Sequence, residues 1–178
     1  MMIRIYDDII SNSVLLQLED ALTRKEPWTF LVDYGSGTGL KQPLSLGRIT
    51  PRENFRWIQN YLLDILDRNK IDTSSIYRSV NNCYRRLDKP QYHQDPGEIS
   101  YMFYLNSEWK RHWGAPTKFK SKKYHLSRTV YPKPGRMVAF SSKLWHKGTP
   151  STFLLPDYIA GRFSIVFHQR DVDPDFFD

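Results

Sequence analysis

The residues best equipped for chemistry lie in the second half of the chain. Tyr92-His93-Gln94-Asp95 sets an imidazole and a carboxylate two residues apart. On an extended strand that spacing points both side chains to one face, so His93 and Asp95 can present their donors to one metal ion. A third donor is available at His146, in Leu144-Trp145-His146-Lys147, just beyond an apolar strand at Met137-Val138-Ala139-Phe140. Two imidazoles and one carboxylate form the facial donor set that suits non-haem Fe(II), and they leave roughly three octahedral positions open. The His-x-Asp triplet alone is a weak signal, because a single histidine is more often a surface or core residue than a ligand. His112 and His125 read as loop residues of a basic stretch, and His168 as a strand residue.

The signal strengthens with the pieces that follow it. Arg162-Phe163-Ser164 opens the last apolar strand, Ile165-Val166-Phe167, and Arg162 and Ser164 share one face of it. A guanidinium binds a carboxylate through two parallel hydrogen bonds, and a hydroxyl can add a third. A 2-oxo acid can occupy two of the open metal positions and dioxygen the third. The distal carboxylate of 2-oxoglutarate would suit Arg162. The competing reading of an isolated Arg-x-Ser is a solvent-exposed arginine in a surface ion pair.

The elements that must position these groups divide the chain in two. In the first third, residues 11–23 carry Val14, Leu15, Leu18 and Leu22 at helical spacing after a Ser13 cap. Trp28, Phe30, Leu31 and Val32 read as a short strand, and the Gly- and Ser-rich residues 34–46 as a mobile loop. Thr50-Pro51-Arg52-Glu53 is a helix start, with Thr as cap, Pro at the first helical position and Glu closing a capping box. Phe55, Ile58, Leu62, Ile65 and Leu66 then form a core-facing stripe. From about residue 76 the pattern turns to strands, at 76–84, 99–105, 127–131, 136–140 and 162–168, with turns at Pro96-Gly97 and Pro134-Gly135. Short strands separated by turns predict an antiparallel sandwich or barrel, with the helices buttressing one face.

Composition narrows the class. With 178 residues, 40% of them hydrophobic, the chain can bury the core of a single domain, and it has no internal repeat. No run approaches the ~18 apolar residues of a membrane span. Cys83 is the only cysteine, which excludes an intramolecular disulfide, and the N-terminus lacks the apolar core of a signal peptide; both predict a cytoplasmic protein. Net charge is +7, and residues 109–156 contain no Asp or Glu but eleven Lys and Arg, among them Lys118, Lys120, Lys143 and Lys147. Such a stretch is either a solvated basic face or a field that steers anions, nucleic acid included.

In their order these pieces resemble the 2-oxoglutarate and Fe(II)-dependent oxygenases, and within them the prolyl hydroxylase-like branch. The likeness runs from Asn82 to Phe167. It includes Asn82-Cys83-Tyr84, His93-Gln94-Asp95-Pro96, Tyr104-Leu105-Asn106 followed by Trp109, Trp113-Gly114-Ala115, Pro134-Gly135-Arg136 with Phe140, His146, and Arg162-Phe163-Ser164-Ile165. The resemblance implies a mainly β fold with flanking helices (α+β). Its core is a double-stranded β-helix (jelly roll, cupin-like) over about 76–170, buttressed by a helical N-terminal part over about 1–75, in one domain spanning 1–178. It implies Fe(II) at His93, Asp95 and His146, and Arg162 as the partner of the distal 2-oxoglutarate carboxylate. Tyr84 and Tyr104 match tyrosines that contact 2-oxoglutarate in related hydroxylases, the alternative being aromatic packing inside the barrel. Two departures stand out: Ala115 replaces a usual glycine, and residues 151–161 look like an insertion.

The implied activity is a dioxygenase that hydroxylates a C–H bond and forms succinate and CO2, with ascorbate as a possible reductant. A prolyl residue in a peptide or protein fits the branch. A free amino acid or other small molecule is the alternative within the enzyme class, and a non-catalytic jelly-roll module binding a metal or ligand the alternative outside it. A nucleic-acid demethylase of the same superfamily would suit the basic stretch, but no second arginine closely follows Arg162, Arg170 being eight residues on. Oligomeric state and pathway are not encoded in any motif.

Overall fold

A computed structural model describes residues 3–22, 29–33, 44–48, 56–121, 126–159 and 161–170. In chain order the elements are β1 (Ile3–Tyr6), α1 (Asn12–Asp20), β2 (Thr29–Asp33), β3 (Leu44–Arg48), α2 (Arg56–Arg68), β4 (Ile76–Tyr84) and β5 (Ile99–Tyr104). A 3-10 turn (Arg111–Trp113), β6 (Thr117–Ser121), β7 (Leu126–Val130), β8 (Met137–Ser141), β9 (Trp145–Gly148) and β10 (Arg162–Gln169) follow. The large sheet has the order β1-β8-β5-β10-β4-β3-β2, and the small one β7-β6-β9. All strand pairs are antiparallel.

This is a jelly roll. From β4 onward the chain passes between the two sheets: β4 and β5 in the large one, β6 and β7 in the small one, β8 back in the large, β9 in the small, β10 in the large. The eighth position, between β4 and β5, is reduced to one bridge, His93 to His146, at the free edge of β9.

Period-two alternation builds two cores from the large sheet. Tyr101, Phe103, Met137, Ala139, Phe163, Ile165 and Phe167 face the helices and pack with Leu15 and Leu18 of α1 and Ile58, Leu62, Ile65 and Leu66 of α2. Their neighbours Met102, Tyr104, Val138, Phe140 and Val166 face the other way and meet Phe119 and Val130 of the small sheet. Each fully buried aliphatic or aromatic side chain contributes about 1.5–3 kcal/mol, so this double-faced core fixes the register of β5, β8 and β10. Register in turn decides which side chains enter the space between the sheets.

Several expectations are adjusted. The cap of α1 is Ser11, with Ser13 inside the helix. Among the described residues before 76 there are three strands besides the two helices. Residues 44–46, read as the end of a loop, begin β3, which pairs with β2; residues 34–43, the Thr50–Glu53 helix start, Phe55 and His125 lie outside the described residues. Strands β6 and β9 carry too few apolar residues in alternation to announce themselves, and β1 alternates over only four residues. Residues 151–159 are turn-rich, and their Leu155 packs with Trp109, Trp113 and Ala115. Ala115, in the glycine position, adopts φ +52°, a left-handed conformation costing a non-glycine residue about 1–2 kcal/mol.

Candidate metal centre

His93 and Asp95 do not sit on a regular strand, as their spacing suggested, and His146 does not trail β8. His93 lies in a loop segment that exchanges both backbone hydrogen bonds with His146 on β9, each 2.9 Å. The Asp95 amide donates to the Ser142 carbonyl at 3.0 Å. The alternation survives in this short extended stretch, so both side chains still reach one side. The ligand atoms of His93, Asp95 and His146 all fall within 4.8 Å of one another. His93 Nε2 is 3.6 Å from Asp95 Oδ1, and His146 Nε2 is 3.4 Å from Asp95 Oδ2.

Backbone carbonyls orient both rings. His93 Nδ1 lies 3.1 Å from the Gln91 carbonyl and His146 Nδ1 2.9 Å from that of Leu144. A carbonyl can only accept, so each Nδ1 donates to it and each Nε2 is the ring atom turned toward Asp95. Octahedral ligands at right angles about 2.1 Å from an ion stand about 3 Å apart. The two histidine Nε2 atoms stand 3.6 and 3.4 Å from the Asp95 oxygens, and the whole donor set spans up to 4.8 Å, so it fits a divalent metal in chemistry and comes to one ion as the side chains close on it.

A buried polar network supports Asp95. Ser100 Oγ donates to Asp95 Oδ2 at 2.8 Å, and it contacts Ser142 Oγ at 2.9 Å and His168 Nδ1 at 3.2 Å. Ser100, Ser142 and His168 are all buried. Burial alone would raise the Asp95 carboxyl, but the hydrogen bond and charge of His146, the charge of His168 and the Ser100 hydroxyl bring it down to about 2. Desolvation and the neighbouring His146 hold His93 below its ordinary value, against the pull of the Gln91 carbonyl and Asp95. Desolvation also lowers His168, with Asp95 opposing. A charged carboxylate beside the His93 imidazole, which burial makes quick to shed its proton, is what metal binding requires. His168, read from sequence as a strand residue, thus supports the ligands from beneath; the only sequence signal was its place on the face shared with Arg162 and Ser164.

At the other end of the cavity Arg162 is buried, 1% exposed. Its Nη1 donates to the Ala115 carbonyl and to Thr117 Oγ1, both at 3.0 Å. Its guanidinium lies 4.3 Å from the Tyr84 ring centre and 5.3 Å from that of Tyr104. Tyr104 Oη shares a 2.9 Å hydrogen bond with Thr117 Oγ1. Among the described residues no carboxylate pairs with Arg162, and its Nε and the Ser164 Oγ are buried without a hydrogen-bond partner. A buried cation without a counter-ion is costly, which sets Arg162 apart from an arginine in a surface ion pair. The cavity of about 230 Å³ is lined by Arg162, Tyr84, Thr117, His93, Asp95 and His146, with Arg78, Asn82 and His168 toward its other parts. Tyr104 and Ser164 are not among its lining residues. Thr117 was not anticipated, because nothing in Ala115-Pro116-Thr117 distinguishes a threonine that links an arginine to a tyrosine.

The fold and this pair of subsites define a jelly-roll oxygenase. The family model described as "2OG-Fe(II) oxygenase superfamily" matches residues 76–168, and the chain belongs to that family. Fe(II), 2-oxoglutarate and dioxygen are accordingly its cofactor and co-substrates. Among solved structures it is similar to a Pseudomonas putida prolyl-4-hydroxylase (16% identity over 96% of this chain and 93% of that one, TM-score 0.63). It is similar as well to a prolyl hydroxylase from Trichoplax adhaerens, solved with a hypoxia inducible factor peptide fragment (14%, 96% and 84%, TM-score 0.66). A 2OG-Fe(II) oxygenase family oxidoreductase from Burkholderia pseudomallei aligns at 14% identity over 93% and 84%, TM-score 0.66. At these identities the likeness is one of fold. No curated protein matches the chain. None of the helices among the described residues is long and apolar enough to cross a membrane.

Proposed function

We propose that the chain, as one domain over 1–178, is a 2-oxoglutarate-dependent hydroxylase whose Fe(II) is held by His93, Asp95 and His146. The buried, counter-ion-free Arg162 carries the reading, because a metal-binding module without a 2-oxo acid has no use for it. Arg162 receives the distal carboxylate; Ser164, whose unpartnered hydroxyl lies outside the cavity lining, adds a donor only by turning inward. Tyr84 walls the pocket, and Tyr104 acts through Thr117 to hold the guanidinium in place. Fixing the far end of the co-substrate sets its orientation at the metal before reaction. Ser100 and His168 keep Asp95 aimed at the metal. Bound Fe(II) with 2-oxoglutarate and dioxygen supplies the oxidation of an unactivated C–H bond, with succinate and CO2 as the other products. Ascorbate would keep the iron reduced.

The substrate we favour is a prolyl residue in a peptide or protein, in line with the two prolyl hydroxylases of the same fold. One observation favours a smaller substrate. Arg78 lines the cavity and has no carboxylate partner among the described residues, so it could receive the carboxylate of a free amino acid. The test is succinate formation with Fe(II), 2-oxoglutarate and a panel of prolyl peptides and free amino acids, run beside His93→Ala. Turnover in the wild type, lost in the variant, with product on one arm of the panel, is the expected result. Folded wild-type protein that binds Fe(II) but never 2-oxoglutarate would overturn the reading in favour of a metal-binding module.

A further inference from the structure

The outer face of the small sheet has a charge pattern that the oxygenase reaction does not use. In the register of β6 and β9, Lys118 stands opposite Lys147, and Lys120 opposite Trp145. Their alternating neighbours Thr117, Phe119 and His146 are buried, so the lysines share the outward face. Like charges directly opposite across strands are destabilising, yet no Asp or Glu among the described residues pairs with Lys118, Lys120 or Lys147. The surrounding 109–156 stretch has none to offer. Two of these lysines are also held in place. Lys120 Nζ lies 3.9 Å and Lys147 Nζ 4.9 Å from the centre of the Tyr92 ring, and Lys120 Nζ lies 6.0 Å from that of Trp145. Tyr92 and Lys147 adjoin His93 and His146 in the chain, so this face is the reverse side of the strand pair that carries two of the metal-site histidines.

We infer that this face docks an acidic polypeptide segment, one that accompanies the residue to be hydroxylated. A cross-strand Lys–Lys pair with a third ammonium fixed beside it is an arrangement that an arriving polyanion complements at several points at once. Peptide carboxylates fit better than nucleic acid. Single-stranded nucleic acid needs open aromatic faces for base stacking, and here Tyr92 is engaged by two ammonium groups. The inference rests on the polypeptide-substrate reading only for the nature of the partner.

The experiment is a fluorescence-anisotropy titration of the full chain, loaded with Fe(II) and 2-oxoglutarate and kept free of dioxygen so that nothing turns over. The probes are a labelled short peptide of alternating Glu and Gly, its Gln counterpart, and a labelled oligothymidylate. The acidic peptide should bind and weaken as salt is raised, and the Gln peptide should not bind. Lys118→Gln/Lys147→Gln should weaken acidic-peptide binding about tenfold. Lys110→Gln/Lys143→Gln, which removes the same charge elsewhere, should weaken it less than about threefold. The first variant relieves a repulsion, so it should melt no lower than the wild type, which separates lost docking from lost folding. Equal weakening by both variants would reduce the effect to net charge and overturn the inference. So would binding of oligothymidylate without the acidic peptide, or binding of neither. None of those outcomes touches the oxygenase reading, which succinate formation tests separately.

Discussion

Replacing Arg162 with methionine should move co-substrate affinity and fold stability independently, and the structure says by how much. Methionine keeps the aliphatic stem of the side chain and removes its charged guanidinium. With 2-oxoglutarate bound, wild-type Arg162 would make a buried, charge-assisted contact of the kind whose loss costs about 2–5 kcal/mol. Its burial, its two fixed hydrogen bonds and the flanking tyrosines hold the guanidinium ready for that contact. The loss therefore falls near 3–4 kcal/mol, a rise in the 2-oxoglutarate Kd of roughly 10²–10³-fold. Without ligand the balance differs. The variant forfeits two hydrogen bonds and two cation–π contacts, about 0.5–1.5 and 0.5–2 kcal/mol each. It also removes a buried charge with no counter-ion, whose penalty is several kcal/mol. These terms oppose each other, so the melting temperature should move by no more than about 4 °C. The assay is anaerobic calorimetric titration of Fe(II)-loaded protein with 2-oxoglutarate and, separately, with 2-oxobutyrate, which lacks the distal carboxylate. Wild type should discriminate strongly between them, and Arg162→Met should bind both about equally weakly. A folded variant that binds 2-oxoglutarate within about threefold of wild type would refute the assignment. A large loss of stability with discrimination intact would make Arg162 a structural residue.

Three further outcomes follow from the same geometry. Ser100→Ala removes the hydroxyl that aims Asp95 and should weaken metal binding about 10–100-fold, read by competition with a chelator while 2-oxoglutarate affinity of the metal-saturated protein holds. Gly148→Ala would set a methyl 2.6–2.9 Å from three Tyr84 ring carbons, forcing the ring over; it should cost about 1–3 kcal/mol of stability and raise the KM for 2-oxoglutarate more than it changes metal affinity. At low pH the Asp7–Arg136–Lys133 cluster should fail. Its Asp7 carboxyl is held below 3.8 chiefly by the Arg136 hydrogen bond, burial opposing. The unfolded chain therefore takes up that proton first. The cluster's contribution is whole above about 3.8 and is lost as pH falls through the lower folded value. Asp7→Asn should flatten that part of a melting-temperature profile between neutral and strongly acidic pH.

Much of the molecule was legible without coordinates, because it depends on residue type and local spacing. The stripe Ile58, Leu62, Ile65 and Leu66 could only be one face of a helix, and it packs in the core. Residues 76–84 form a strand over the span their pattern indicated. The choice of His93, Asp95, His146 and Arg162 rested on donor chemistry; the donor atoms of the first three lie within 4.8 Å of one another, and among the described residues the fourth is buried without a counter-ion. What only the tertiary structure decided is which residues far apart in sequence become neighbours. His93 and His146 meet because β9 closes the small sheet with a bridge in place of a full strand. Thr117 reaches Arg162 because β6 and β10 face each other across the cavity, and Ser100 and His168 converge under Asp95 because β5 and β10 pair in the register that sets residues 100 and 168 side by side. Such contacts are set by sheet register, which the whole two-faced core determines, since a slip of one residue would turn every one of these groups away from the site.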